Sequence, residues 1–589
     1  MTDMSAFRLV RLASLCLIFT SFTAVAVTRQ PVSGEKGMVV TSQHLASQVG
    51  ADILKQGGNA IDAAVAVGYA LAVTNPCCGN IGGGGFPTIH LADGRDVFVN
   101  FREKAPLAAT ETMYLDAKGE VVPDLSLKGY LAAGVPGTVM GLDDMLKKYG
   151  TLSRETVMAP AIKLADEGFA LDQGDVDILA SGAKSFDVEP NVAEIFLNPG
   201  RPWKAGDLLI QKKLAATLKL ISSSGPDAFY KGPIADQLVA ASAARGGILS
   251  KKDFEDYTVE ELLPVHCNYR GYEVISSPPP SSGGTTLCEI LNIVEGYPIG
   301  QMGFHSAASI HVMAEAMRHA FVDRNFDLGD PDFVKNPVER LTSKDYAAAI
   351  REKIDPNKAS NSKDVSPGTA PHEGTQTTHY SIVDAQGNAV AVTYTLNAYF
   401  GAKVIAGDTG FFLNDEMDDF TTKPGVANMF GLVQGKTNVI APGKRPLSSM
   451  SPTIVKKDGK TFMVLGSPGG SRIITIVLET IMNVVDHGMQ IQEAVNMPRL
   501  HHQWLPDQIS AEPFAISPDA AKALGDMGYK IVEQTPWGAA ETILIGPAVD
   551  ASAAQATSGN DAMAGSKPVP GRFYGAHDDR RAAGAAVGY

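Results

Sequence analysis

The first clear pattern along the chain is helical. Between residues 45 and 55 apolar side chains recur at helical spacing, and the run stops at Gly57-Gly58-Asn59, a left-handed cap sequence. Residues 60–73 are almost continuously apolar and alanine-rich, are interrupted by Asp62 and end before Asn75-Pro76, which predicts a core helix. Later in the chain alternation takes over. Residues 377–383 and 389–395 alternate in the strand manner around Asp384-Ala385-Gln386-Gly387-Asn388, predicting a hairpin. A second strand pair, 453–455 and 461–465, surrounds Asp458-Gly459, and 473–485 reads as a strongly apolar helix. Residues 355–376 are rich in Pro, Ser, Lys, Gly and Thr without apolar periodicity, which predicts an exposed, mobile linker. Residues 548–571, rich in Ala, Ser and Gly, read as a disordered, peripheral insertion. Sheets followed by buried helices point to a layered α/β architecture.

Composition narrows the function more than the fold. The 589 residues are 44% hydrophobic and 19% charged, so a large core is available. Length alone suggests about three or four domains, although a single large α/β layer structure also reaches this size. The formal net charge of -14, with no Lys/Arg run, argues against a nucleic-acid partner held by phosphate contacts. At the start, Arg8 and Arg11 precede an apolar stretch over 12–22 and then Ala24-Val25-Ala26. This is the layout of an export signal, with the mature chain beginning at Val27. The apolar stretch is shorter than the about 20 residues a spanning helix needs, so no membrane anchor is expected.

Signal removal takes Cys16 and leaves Cys77, Cys78, Cys267 and Cys288, with no Cys-x-x-Cys spacing. Four cysteines are too few for a disulfide scaffold in so long a chain. A bridge between the neighbours Cys77 and Cys78 would strain the usual geometry, so buried thiols, or at most one bridge, are expected. His311, Glu315 and His319 share one helix face but lack the His-Glu-x-x-His spacing of zinc proteases. The run Gly82-Gly83-Gly84-Gly85 is not followed by the Gly-Lys-Ser/Thr of a phosphate loop; its glycines suit close backbone approach instead. No metal or cofactor is expected. Pro278-Pro279-Pro280-Ser281-Ser282-Gly283-Gly284 predicts a rigid turn into a helix.

The candidate chemistry lies where the linker meets the first alternating strand. If the Gln376–Thr377 bond is cut, Thr377 gains a free α-amine within reach of its own hydroxyl, a recognised base–nucleophile arrangement. That amine titrates at about 7.7–8.0 when unperturbed, close to the pH where a general base works well. Its β-branch limits the rotamers and helps aim the oxygen. Taken alone, Thr377 reads more readily as an ordinary strand threonine.

Longer motifs change that balance. Thr377-Thr378-His379-Tyr380-Ser381, Gly387-Asn388-Ala389-Val390-Ala391-Val392-Thr393, Arg445-Pro446-Leu447-Ser448-Ser449-Met450-Ser451-Pro452-Thr453 and Gly466-Ser467-Pro468-Gly469-Gly470-Ser471-Arg472 resemble signatures of the γ-glutamyltranspeptidases. Asn100-Phe101-Arg102-Glu103 and the four-glycine run fit the same family, so the resemblance spans nearly all of the mature chain. It implies an N-terminal-nucleophile hydrolase, an αββα sandwich built jointly by a large subunit of residues 27–376 and a small one of 377–589, paired as a heterodimer. The carried-over roles are specific. Thr377 attacks the Gln376 carbonyl during maturation and the substrate γ-carbonyl afterwards. Thr395 orients it, and the Gly469 and Gly470 N–H groups receive the oxyanion. Arg102, Ser448 and Ser449 take the α-carboxylate, while Asn397, Glu416 and Asp419 take the α-ammonium. Asp418 is expected to be a neighbouring structural acid.

Glutathione is the implied donor, water or an amino acid or peptide the acceptor, and the periplasm or the medium the location. One departure falls in the lid segment 424–435, where Phe430 occupies a position at which bacterial members are expected to carry a tyrosine that hydrogen-bonds Asn397. The rival readings are a glutaryl (cephalosporin-type) acylase, whose substrate lacks the α-ammonium, and a noncatalytic periplasmic glutathione-binding protein.

Overall fold

The computed structural model describes residues 29–365, 377–546 and 568–589; the signal segment, Gln376 and most of the 548–571 insertion lie outside the described residues. Two antiparallel seven-stranded sheets form the centre. In one, Thr378–Asp384 and Ala389–Thr395 lie in the middle, as the alternation and the turn at 384–388 predict. Gly37–Thr41 and then Ala585–Gly588 flank them on one side, and Gly84–His90, Asp96–Asn100 and Glu260–Leu262 on the other. The other sheet runs Val32–Gly34, Phe573–His577, Glu541–Ile545, Lys460–Leu465, Thr453–Lys457, Tyr272–Ser276, Val265–Tyr269.

The period-two pattern sorts side chains between layers. Val383, Ala389 and Ala391 face the second sheet and meet Ile454, Val464 and Ile543. Tyr380, Ile382, Val390 and Val392 face outward, into the core shared with helices His44–Lys55 and Ala60–Thr74. Helices Gly283–Val294, Ala307–Asp327 and Ile473–Val485 cover the second sheet. The result is an αββα sandwich. Asp62, the one charge in the apolar run 60–73, closes a capping box with Asn59 and accepts the Thr151 and Leu152 N–H groups at 2.8 and 3.0 Å. Burial of that carboxylate is thereby satisfied. The glycine run has the close-approach role: a Cβ on Gly83 would lie 2.0 Å from the Thr395 carbonyl oxygen.

Three expectations need correction or completion. Both cysteine pairs are bridged, Cys77 to Cys78 and Cys267 to Cys288, where at most one bridge was expected. The second pair joins the edge strand to the helix over it, placing the Cα atoms 5.9 Å apart, an ordinary bridge span. The linker expected over 355–376 is anchored in its first half. Ser362 is buried, its N–H donates to Asp507 at 2.9 Å, and its carbonyl accepts from Trp504 Nε1 at 2.8 Å; residues 366–376 lie outside the described residues. His311 and Glu315 both hydrogen-bond the Tyr529 hydroxyl, which fixes the helix Ala307–Asp327 to a neighbouring segment. No described helix is long and apolar enough to cross a membrane.

Candidate active site

The strand register builds the centre of the site. Thr378 pairs with Tyr394, so the next position sets Thr377 opposite Thr395 on the face between the sheets. The Thr377 hydroxyl donates to Thr395 Oγ1 at 3.3 Å, and the Asn397 N–H donates to the same oxygen at 2.8 Å. Asn397 itself turns with φ +74°, and its side-chain amide donates to the Asp415 carbonyl at 3.0 Å. One strand step inward, His379 is buried between Thr393 and Ser381. Burial lowers its pKa to about 3, so it stays neutral and is no proton acceptor for Thr377 at physiological pH.

Thr377, Thr395, Asn397, Arg102, Glu416, Asp419, Ser448, Ser449 and Gly470 all line one pocket, together with Phe430. Gly469 stands just behind Gly470, at the turn before helix Ile473–Val485. The turn needs glycine at both positions, with φ of +145° at Gly469 and +58° at Gly470. Among the described residues no backbone acceptor takes either N–H. Two adjacent N–H groups at a helix N-terminus are suited to a developing oxyanion.

Charge is concentrated at the opposite wall. Arg102 is fully buried. Its guanidinium bonds Glu416 and, at 2.5 Å, Asp419, with Glu103 at 3.7 Å, and its Nε donates to the Pro446 carbonyl at 3.2 Å. Thus the two acids expected to hold an ammonium hold Arg102 in this structure. Burial would lower the arginine pKa, but the charges of Glu416 and Asp419 outweigh it and raise the value. Burial likewise pushes the Glu416 carboxyl well above its ordinary value and Glu103 to about 7. One guanidinium faces three carboxyl groups, and burial biases two of them, Glu416 and Glu103, toward the protonated form.

Ser448 is held by the 278–284 segment, which the sequence marks only as a rigid turn, and Ser449 by Arg324. The Ser448 N–H donates to the Pro280 carbonyl at 2.9 Å, and its carbonyl accepts from the Ser282 N–H at 2.8 Å. The Ser448 hydroxyl oxygen accepts the Met450 N–H at 3.1 Å, which leaves its own proton available to donate into the pocket it lines. Asp418 accepts from Ser126 at 2.7 Å and from the Met429 N–H at 3.1 Å, pinning the lid segment rather than facing the pocket; burial raises its pKa to about 6. Phe430 is buried, and its carbonyl accepts from Gln503 at 3.1 Å. The Asn397 amide instead reaches the Met429 sulfur at 3.6 Å. Sequence reasoning missed Met429, Glu103 and Arg324, the last of which bonds Ser449. Glu103 adjoins Arg102 in its motif and Met429 adjoins Phe430 in the lid segment, whereas nothing in the local sequence signals Arg324.

A family model described as Gamma-glutamyltranspeptidase matches residues 46–566. The glutathione hydrolase proenzyme of Pseudomonas sp. (strain A14) is 57% identical over 571 residues, 96% of this chain and 97% of that protein. That of Escherichia coli (strain K12) is 48% identical over 561 residues, 95% and 93% of the two chains. Among solved structures, a cephalosporin acylase from Bacillus halodurans superposes with a TM-score of 0.79 at 28% identity, covering 95% of this chain and 97% of its own.

Proposed function

This chain belongs to the γ-glutamyltranspeptidase family, and from that premise we propose that Thr377 is its nucleophile, freed by cleavage of the Gln376–Thr377 bond. The chain is an enzyme of γ-glutamyl transfer and glutathione hydrolysis. The observation that carries the reading is the shared pocket: the Thr377–Thr395 hydroxyl pair, Gly470 of the two-glycine turn and the Arg102–Glu416–Asp419 cluster line a single cavity.

In the reaction, the Thr377 α-amine takes the proton from its own hydroxyl, and Oγ1 attacks the γ-carbonyl of the donor. The Gly469 and Gly470 N–H groups receive the negative oxygen, each such donor being worth roughly 10²–10³ in rate. The amine then passes its proton to the departing amide nitrogen, leaving a γ-glutamyl ester on Thr377. Water or an acceptor amine, deprotonated by the same group, attacks the ester and restores the hydroxyl. The donor's α-carboxylate is taken by Ser448, Ser449 and the N–H groups of Arg102 turned toward it. Its α-ammonium draws Glu416 and Asp419 from Arg102.

Maturation yields residues 27–376 and 377–589. Both sheets interleave strands from the two sides of the cut, so the products stay joined as a heterodimer by their shared ladders. The export layout of residues 1–26 supports placement in the periplasm or the medium. The glutaryl acylase reading is less well supported: acids at Glu416 and Asp419 suit an ammonium that a glutaryl group lacks. N-terminal sequencing of the purified protein tests the scheme. Wild type is expected to give chains starting at Val27 and Thr377, and Thr377→Ala a single uncut, inactive chain. Cutting before position 377 in that variant overturns self-cleavage.

A further inference from the structure

Arg324 is a fully buried arginine close to the pocket but not in its lining. Among the described residues no carboxylate lies within ion-pair distance of its guanidinium. A buried charge without a counter-ion is costly and is retained where something else answers it. Burial lowers its pKa to about 10, with the charge of Asp419 opposing and that of Arg102 adding to the fall, so it remains a cation at neutral pH.

Its donors go to neutral oxygens in three different parts of the site. Nε bonds Ser282 Oγ at 3.1 Å, on the segment that carries Ser448. Nη1 reaches Gln434 Oε1 at 3.3 Å, in the lid segment, and Asn325 Oδ1 at 3.0 Å. Gln434 in turn donates to the Asp419 carbonyl at 3.2 Å. Nη2 donates to Ser449 Oγ at 3.0 Å. A hydroxyl that accepts from a guanidinium keeps its own proton to donate elsewhere. Among the described residues the Ser449 proton meets no acceptor.

We propose that Arg324 is a positioning and specificity-determining residue for the donor's α-carboxylate: by donating to Ser449 it leaves that hydroxyl's proton available to the carboxylate, and its charge, with no carboxylate in ion-pair contact, attracts the carboxylate through it. The proposal rests on the γ-glutamyl reading above. It divides the wall between two arginines, Arg102 surrounded by acids and Arg324 surrounded by hydroxyls and amides. Hydrogen bonds cooperate along such chains, so the Ser449 donor is stronger for its charged partner.

The test compares two anilide donors, γ-glutamyl and 4-aminobutyryl, which differ only in the α-carboxylate, on wild type, Arg324→Lys, Arg324→Gln and Ser449→Ala. Cleavage into two chains reports folding of each variant. Arg324→Gln is expected to raise KM for the γ-glutamyl donor tenfold or more with kcat changed less than about threefold. Its preference for γ-glutamyl over 4-aminobutyryl should fall by the same factor, with Arg324→Lys intermediate. In the double variant Arg324→Gln/Ser449→Ala, made as a fifth protein, Ser449→Ala should cost less than it costs alone. Equal losses on both donors, or additive losses in the double variant, overturn the proposal and leave Arg324 a structural residue. If neither Arg324 variant matures, Ser449→Ala decides: an unchanged donor preference overturns the proposal. Failure of the γ-glutamyl reading is distinct, since it shows in wild type as no preference for the γ-glutamyl donor.

Discussion

Thr377 and Thr395 stand opposite each other on adjacent antiparallel strands, with the Thr377 hydroxyl 3.3 Å from the Thr395 oxygen that also accepts the Asn397 N–H. If Thr377 is the nucleophile, this contact to the strand residue Thr395 orients its hydroxyl. Thr395→Val keeps the β-branch and volume but removes the acceptor for both donors. A buried donor left unsatisfied costs about 1–3 kcal/mol, so kcat is expected to fall roughly ten- to a hundredfold, with KM for the donor little changed. Thr395→Ser should retain most of the rate. Steady-state kinetics on matured protein checks this, and a Thr395→Val enzyme with wild-type kcat removes Thr395 from the orienting role.

The lid offers a second prediction. Phe430 closes the pocket without a phenolic oxygen, and the Asn397 amide is left with the Asp415 carbonyl and, weakly, the Met429 sulfur. Phe430→Tyr is expected to add a hydrogen bond to Asn397, worth roughly 0.5–1.5 kcal/mol net, and to lower donor KM several-fold. Identical kinetics with glutathione in both forms would show that the ring at 430 does not reach Asn397.

Stability in acid should depend on a charge cluster outside the pocket lining. Asp578 is buried between Arg499 and Arg580 and accepts the Ala540 N–H at 2.9 Å. Burial alone would raise its pKa, but the two guanidinium groups outweigh it and hold the carboxyl at about 2, below the ordinary 3.8. A depressed carboxyl pKa stabilises the fold fully above the ordinary value, and that contribution is lost as pH falls from about 4 to about 2. Asp578→Asn leaves buried guanidinium charge uncompensated and should cost roughly 3–5 kcal/mol at neutral pH. Thermal midpoints measured from pH 7 down to pH 2 should fall less steeply below pH 4 in the variant than in wild type. Parallel acid limbs would remove Asp578 from the acid response.

The sequence makes the strands and helices legible wherever one face is buried, because periods of two and 3.6 are written directly in the apolar positions. The hairpin Thr378–Asp384 and Ala389–Thr395 and the helix Ile473–Val485 show this. Relationships made only by tertiary contact carry no such period. Arg324 lies on a helix near residue 300 in the chain but acts on Ser449, and nothing in its local pattern marks the contact. The Cys77–Cys78 bridge was discounted on local geometry, and the anchoring of Ser362 by Asp507 and Trp504 is invisible in a polar segment. The same limit applies to Arg102. Its motif marks it as a binding residue, yet only the structure reveals that Glu416 and Asp419 both bond its guanidinium.

That pairing sharpens the distinction between a γ-glutamyl enzyme and a glutaryl acylase. A glutaryl donor keeps the carboxylate but lacks the α-ammonium, so it offers nothing to draw Asp419 from Arg102, which Asp419 holds at 2.5 Å. Such a donor must compete with a buried ion pair for the guanidinium, whereas a γ-glutamyl donor supplies a replacement cation as it enters. Sites built around buried polar groups reject analogues lacking the matching group by about 10⁴–10⁵. Wild type should therefore cleave a γ-glutamyl anilide with a kcat/KM several orders of magnitude above that for a glutaryl anilide. Asp419→Ala removes the acceptor for the ammonium and one of the acids on Arg102 together. Truncating one member of a buried charge pair costs roughly 2–5 kcal/mol, so γ-glutamyl turnover should fall by about 30-fold or more. Glutaryl turnover should hold or rise, because Arg102 is then freer to take its carboxylate. Measuring kcat/KM for both anilides on both proteins decides the matter. Comparable wild-type rates on the two donors, or equal losses on both in the variant, would assign the pocket to a general acylase.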